Sequence, residues 1–308
     1  MSPTSQCIAC GSTHIATSDF LVSEEYPLLH CMYCGMSFLD VSSEGNTDIE
    51  FDDYWNDINE RIYTHTNTIA ELQNKYKFYF DRISDPVNGR LLDVGSGAGI
   101  CVNAALQYGF DAMGVEPSEK GVLLSRKNYS INVVHDLLGT DDNLPHDYGV
   151  LTLWDVIEHV ADPEELLSNC ALHLSDKGFL VLETPDEGSI IRSFIRQISK
   201  ISKSFDMRSN LYYRAHRYYF TQSAMEKLLR RCGFDEIHFY KERSMYEKAL
   251  LKARYYRKIG RGKEFMLRIL FWFLKKLPFL HNKMVVIARK SSGMQVHPQH
   301  GLPAGTAA

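Results

Sequence analysis

Apolar and polar positions change period several times along this chain, and each change marks an element. Near the start, Phe20-Leu21-Val22 and Pro27-Leu28-Leu29 read as short strands that cannot bury a core of their own. Between Asp48 and Asp85, the residues Tyr54, Trp55, Tyr63, Leu72, Tyr76, Phe78 and Tyr79 fall at loosely helical intervals, so 46–88 is expected to be a helical connector. After Pro86 and Gly89, short apolar runs at 90–94, 111–115, 131–135, 150–155 and 179–183 alternate with helical stretches such as 100–108 and 163–174. Two more strands are expected at 236–240 and 284–288. Strands that alternate with helices predict an α/β, Rossmann-like, mostly parallel sheet whose ligands bind at the carboxyl ends of the strands.

Cysteine spacing adds a second unit. Cys7-Ile-Ala-Cys10-Gly and Cys31-Met-Tyr-Cys34-Gly are two knuckles separated by 20 residues. Thiolates two residues apart can both reach one tetrahedral ion, and the glycine that follows lets the chain turn toward it. Residues 1–45 are therefore expected to be a zinc ribbon, an appendage whose four protein ligands leave no place for water and make Zn2+ structural. Cys101, Cys170 and Cys232 stand alone and are expected to be small buried hydrophobes.

The run at 90–94 enters Gly95-Ser96-Gly97-Ala98-Gly99, and a glycine-rich turn between a strand and a helix lets backbone N–H groups approach a ligand closely. Glu116, 23 residues after Asp93, closes the next strand, where a carboxylate can accept from both ribose hydroxyls of an adenosine ligand. Pro117 offers an apolar face to the adenine, and Asp136-Leu137 ends the third strand where a carboxylate can take the adenine amino group. Trp154 and Asp155 end the fourth. A nicotinamide dehydrogenase shares this strand, turn and acid, but the Gly-x-Gly-x-Gly spacing and the lack of a second substrate domain disfavour it.

CIACG, CMYCG, LLDVGSGAG, GVEPS, LWDVIEHV, GFLVLETPD and the stretch His216-Arg217-Tyr218-Tyr219-Phe220-Thr221 together resemble a bacterial class I S-adenosylmethionine-dependent methyltransferase with an N-terminal four-cysteine zinc ribbon. The resemblance implies a seven-stranded sheet in the order 3-2-1-4-5-7-6 over residues 89–290, its last strand antiparallel. It also implies S-adenosyl-L-methionine as cofactor, held by Asp93, Gly95, Ser96, Gly97, Gly99, Glu116, Pro117, Asp136, Leu137, Trp154 and Asp155.

Methyl transfer from a sulfonium is an in-line displacement in which alignment does most of the work, and an oxygen acceptor also needs a base. His159, just past the fourth strand, is the first candidate and His216 the second. Glu158 joins them as a candidate catalytic residue. The bland alternative is that Glu158 and His159 cap the next helix and shape the pocket. A third reading comes from the similar Glu-His step of quinone O-methyltransferases and makes the two residues ligands of a divalent ion.

Composition narrows the setting. With 308 residues, 44% hydrophobic and 23% charged, the chain can bury a large core, and its net charge of -4 disfavours a protein that coats nucleic acid. Neither a signal-like n- and h-region nor an apolar run of about 20 residues is present, so a cytoplasmic protein with reduced cysteines is expected. Two segments add basic amphipathic character. In the first, 188–203 within a lid segment at 188–215, Ile191, Phe194, Ile195, Ile198 and Ile201 share one face and Arg192, Arg196, Lys200 and Lys203 another. The second, an insertion at 245–282, holds ten Lys or Arg against two Asp or Glu.

Contact with the inner face of an anionic membrane is one reading of this pair; a lid packed on its own sheet is the other. The expected acceptor is a small molecule or lipid-linked compound, with O-methylation of a sugar or lipid-linked glycan in cell-envelope polysaccharide biosynthesis placed first. A quinone precursor, an RNA and a noncatalytic binding module are the alternatives, and the tail at 291–308 is expected to be disordered.

Overall fold

In a computed structural model the apolar runs pair into two sheets. It describes residues 6–23, 26–40, 51–83, 86–139, 143–201, 211–212, 215–244 and 281–292, with 248, 251, 252, 255 and 262. The elements are β1 (Ile15–Ser23), β2 (Tyr26–Cys31), β3 (Ser37–Leu39), a 3-10 turn (Phe51–Tyr54), α1 (Asp57–Thr64), α2 (Thr66–Phe80), β4 (Arg90–Val94), α3 (Ile100–Tyr108), β5 (Asp111–Glu116), α4 (Glu119–Tyr129), β6 (Val133–His135) and β7 (Tyr148–Trp154). They continue with α5 (Pro163–His173), β8 (Leu174–Pro185), α6 (Ile190–Ile201), β9 (Tyr218–Tyr219), α7 (Gln222–Arg231), β10 (Phe234–Glu242) and β11 (Lys283–Lys290).

The large sheet runs β10-β11-β8-β7-β4-β5-β6, which is the expected seven-stranded order. β4 to β8 pair in parallel, and β11 lies antiparallel between β8 and β10. Alternation sends neighbouring residues to opposite faces: Leu91, Val150, Val181 and Val285 join α2 and α3 in one core, while Leu92, Leu151, Leu182 and Val286 join α5 and α7 in the other. Several helices start on side-chain caps. Ser118 Oγ accepts from Gly121 N, Asp162 accepts from Glu164 N and Glu165 N ahead of Pro163, and Thr221 Oγ1 accepts from Ala224 N.

Three expectations need correction. The ribbon is not an appendage: Cys7, Ala9, Leu29, Cys31, Met36 and Phe38 belong to the same core as Leu92 and Leu151, and β9 completes the ribbon's sheet in the order β1-β2-β3-β9. Glu158 and His159 do not cap the following helix, because Asp162 does. Nor do the arginines of α6 form a solvated basic face. Arg192 is buried and Arg196 half-buried, both drawn onto Glu187, whereas Ile190 and Phe194 are 62% and 60% exposed. A carboxylate as buried as Glu187 needs a charged partner, and Arg192 and Arg196 on α6 supply it, which turns their face of the helix inward.

Most of the insertion at 245–282, part of the lid at 202–210 and nearly all of the tail lie outside the described residues. Among the described residues no helix is long and apolar enough to cross a membrane.

Candidate active site

The four knuckle cysteines come together as their spacing requires. Their sulfurs all lie within 4.8 Å of one another, with Cys7 Sγ to Cys34 Sγ and Cys10 Sγ to Cys31 Sγ both at 3.6 Å. Zn–S bonds of about 2.3 Å in a tetrahedron place sulfurs about 3.8 Å apart, so the donor set fits Zn2+. Gly11 and Gly35 adopt φ of 69° and 74°, and their N–H groups return to the carbonyls of Cys7 and Cys31. A hydrogen bond from Cys34 pulls the Cys7 thiol down to about 5, while the same bond and burial push Cys34 up. Such a cluster cannot hold four thiolates without a cation.

At the carboxyl end of β4, the loop Gly95–Gly99 turns through positive φ at Gly95, Gly97 and Gly99 (68°, 51° and 77°). A Cβ at Gly99 would lie 2.4 Å from Ile131 Cδ1 and 2.8 Å from Ser125 Cβ, so only glycine lets α3 start this close to α4. Glu116, at the end of β5, accepts from Gly97 N at 2.7 Å and Ser118 N at 3.0 Å, which fixes the carboxylate beside the loop. Burial raises its pKa against the pull of those two bonds. Asp93 is buried below the loop, where Thr152 Oγ1 donates to it at 2.5 Å and desolvation pushes it up to about 7. The backbone cradle and Glu116 fit an adenosyl ligand. Pro117 follows Glu116 and its carbonyl contacts His135 Nε2 at 2.9 Å; Asp136 and Leu137 are exposed, with Asp136 Oδ1 accepting from Leu137 N at 2.7 Å.

Trp55, in the segment expected to be a helical connector, covers this cradle. The indole of Trp55, 8% exposed, packs on Ala98 and Leu124, and a Cβ at Gly97 or Gly121 would meet it at 3.2 or 3.1 Å. Asp52 anchors the same turn, accepting from Ser118 Oγ at 2.5 Å and Lys120 N at 3.3 Å. Trp55 was visible in the sequence as an aromatic position, but its spacing says nothing about which loop it reaches.

The ends of β7, β8 and β11 form a second, highly charged region. Asp155 leaves β7 with φ 57°, a left-handed geometry that aspartate tolerates, and its carboxylate meets Lys283 Nζ at 2.6 and 2.5 Å. Lys283 also donates to Glu183 Oε1 at 2.8 Å, and Lys75 donates to both Glu183 oxygens at 3.0 and 2.9 Å. Burial, the largest single influence, would raise Asp155, but the charges of Lys283, Lys248 and Lys75 together with the Lys283 hydrogen bond outweigh it and hold the carboxyl well below the usual range. Trp154 lies under Lys75, whose Nζ is 4.9 Å from the ring, and donates Nε1–H to Cys101 Sγ at 3.1 Å. Lys248 Nζ lies 3.3 Å from Tyr63 OH.

The structure also joins the three candidate catalytic residues. Donor atoms of Glu158, His159 and His216 lie within 4.8 Å of one another, and the two imidazoles meet edge to face at 4.5 Å. His159 Nδ1–H donates to the Ala215 carbonyl at 2.5 Å, which leaves Nε2 basic. Burial lowers both histidines, His216 the further, so the pair is neutral near pH 7. Glu158 is fully buried: Oε2 accepts from Thr184 Oγ1 at 3.1 Å, Oε1 has no hydrogen-bond partner, and desolvation raises its pKa well above the usual range.

Lys75 and Lys283 went unmarked in the sequence. The first sits three residues after Leu72 and four before Tyr79 on the buried face of α2, a legible signal. The second opens a strand whose middle, Met284 to Ala288, is apolar, and it reaches the site because β11 runs antiparallel beside β8.

A glycine cradle with a carboxylate fixed beside it, next to a cluster of charged and imidazole side chains at the ends of the next strands, is an arrangement that suits an enzyme of adenosyl-ligand chemistry. A family model described as "Methyltransferase domain" matches residues 63–238, and the chain belongs to this family.

Among curated proteins, the chain is 29% identical over 106 residues to a ubiquinone biosynthesis O-methyltransferase of Thiobacillus denitrificans (32% of this chain, 46% of that protein). It is 34% identical over 104 residues to one from Caulobacter sp. strain K31 (31% and 40%). The match thus spans about half the length of the curated relatives or less. Among solved structures, a putative O-methyltransferase from Nostoc punctiforme PCC 73102 superposes with a TM-score of 0.51 at 14% identity, over 81% of this chain and 64% of that one, a likeness of fold.

Proposed function

We propose that the chain transfers a methyl group from S-adenosylmethionine to a hydroxyl of a small-molecule acceptor of quinone-precursor type. The observation that carries the reading is the glycine cradle with Glu116 on one side and, on the other, a neutral histidine pair in which His159 is half-buried and His216 buried. The names of the curated relatives support a phenolic acceptor over the sugar or lipid-linked glycan placed first on sequence grounds. The cofactor supplies an electrophilic methyl group on a sulfonium. Gly95, Gly97 and Gly99 let the backbone approach the ligand, Glu116 accepts its ribose hydroxyls, and Trp55 shuts water from the cradle. His159 Nε2 takes the acceptor proton, with its tautomer set by Ala215. Cys7, Cys10, Cys31 and Cys34 hold a structural Zn2+.

A second reading of the same residues has a specific observation behind it: the unpartnered Glu158 Oε1 beside His159 and His216 suits a divalent cation that orients the acceptor oxygen. Contact with a membrane surface rests on Ile190 and Phe194 rather than on the arginines of α6.

Isotope-labelled S-adenosylmethionine incubated with a catechol and, separately, with a nucleotide sugar tests the reading. Label is expected on the catechol, with His159→Asn about 100-fold slower. Label on the sugar alone, or full activity in His159→Asn, overturns the corresponding part.

A further inference from the structure

Methyl transfer needs no zinc ribbon, yet the ribbon meets the candidate acceptor side through a buried carboxylate and through backbone pairing. Glu187, 1% exposed, lies between β8 and α6. Its Oε1 accepts from Ser37 Oγ on β3 at 2.9 Å, from Tyr212 OH at 2.6 Å and from Arg196 Nη1 at 2.5 Å. Oε2 accepts from Arg192 Nε at 2.9 Å. One buried acid thus ties the ribbon, α6 and the turn at 211–212 together, with both negative oxygens matched by cations. The chain of contacts continues: the Arg192 guanidinium is 5.1 Å from the Tyr219 ring, Tyr219 is 5.8 Å from His216, and His216 is 4.5 Å from His159.

The backbone follows the same route. β9 has two residues, too few to hold a position by themselves. On one edge β3 pairs with it, Ser37 opposite Tyr219 and Phe38 opposite Tyr218, and Leu39 N donates to Arg217 O. On the other side Arg217 N and Tyr218 N both donate to the Glu158 carbonyl, at 2.8 and 3.3 Å. Thr221 Oγ1 donates to the Cys34 carbonyl at 2.6 Å, which pins the second knuckle to the start of α7. β3, three residues long, follows that knuckle directly. The cysteine cluster therefore anchors β3, and β3 in turn pairs with β9.

We propose that the ribbon is a positioning element for the acceptor side: the cysteine-held β3 and its Glu187 junction fix β9, and through it the placement of Glu158, His159 and His216. This rests on the reading of those residues as the acceptor site, and it assigns Glu187 and Ser37 a positioning role. The cofactor cradle, built from β4, β5 and the 3-10 turn, makes none of these polar contacts among the described residues; Leu92 and Val115 share an apolar core with the ribbon, a link that carries no hydrogen bond to the loop.

Hydrogen exchange and histidine NMR of the full-length zinc-loaded protein test it, before and after chelation and in Ser37→Ala, with S-adenosylhomocysteine titrated into each. Chelation is expected to speed exchange of the Arg217 and Tyr218 amides about tenfold or more, and Ser37→Ala to speed it by a few fold. Imidazole signals of His159 and His216, assigned with His159→Asn and His216→Asn, move with them. The amides of Gly95 and Ser96, the buried His173 signal and the S-adenosylhomocysteine affinity, within about threefold, stay put. A merely structural ribbon would move His173 as well.

Unchanged Arg217 and Tyr218 protection in a chelated protein whose β1 and β2 amides exchange freely overturns the proposal. Should chelation unfold the whole chain, Ser37→Ala decides alone, and unaltered protection there has the same consequence. Failure of the cofactor reading shows separately, as no binding of S-adenosylhomocysteine by the untreated protein.

Discussion

The two halves of the site, at the ends of β4–β5 and of β7–β8–β11, are built on opposite principles. The half proposed to hold the cofactor is backbone: three glycines at positive φ, and a carboxylate whose partners are the N–H groups of Gly97 and Ser118. The half proposed to receive the acceptor is side chain: Asp155, Glu183, Lys75 and Lys283 in one ionic cluster and two histidines in another, contributed by elements far apart in the chain. A backbone cradle is set by local geometry and serves any reaction of the same cofactor. A side-chain cluster depends on how remote elements pack, so it is where acceptor choice can differ between relatives of one fold.

The comparison breaks most sharply at Lys283. Lys283→Met leaves Glu183, 2% exposed, with Lys75 alone and deprives the half-buried Asp155 of its partner. A loss of about 3–5 kcal/mol is expected in urea denaturation, with the cradle's chemistry untouched. A loss below about 1 kcal/mol would mean that the cluster is solvated and sets nothing.

Asp93 gives the next effect, in pH. Burial raises it to about 7 in the folded chain, against about 4 once unfolded, so the folded state holds the proton longer. Stability is then full below about pH 4 and declines as pH rises toward 7, by about 3–4 kcal/mol over that window. Asp93→Asn, which keeps an acceptor for Thr152, should flatten the decline in thermal melts taken from pH 4 to 8. A slope that persists in Asp93→Asn would assign it elsewhere.

The smallest effect sharpens the cofactor half. Trp55→Ala uncovers Gly97 and Gly121 and is expected to weaken S-adenosylhomocysteine binding about tenfold, chiefly through faster release, with little change in melting temperature. Tighter binding in calorimetry would mean that the indole fills the cradle instead of covering it.

Much of this was legible in advance, for reasons tied to particular residues. Gly95, Gly97, Gly99 and Glu116 could be read because strand, turn and acid follow one another within one βαβ unit, so local geometry determines their meeting. Cys7, Cys10, Cys31 and Cys34 could be read because a metal imposes its own spacing. The roles of Arg192 and Arg196 could not. A helical wheel shows which residues share a face and not what lies opposite, and here a buried Glu187 lies opposite.

The chain by itself thus determined the order of elements, the sheet, the cradle and the thiol cluster, all of which follow from short-range periodicity and spacing. Tertiary structure alone decided that the ribbon shares the main core, that Trp55 covers the loop, and that Lys283 and His216 reach the ends of β7 and β8. The reason is physical. Pairings across 100 residues or more, such as Lys283 with Glu183 or Ser37 with Glu187, depend on which surfaces the strand order brings face to face.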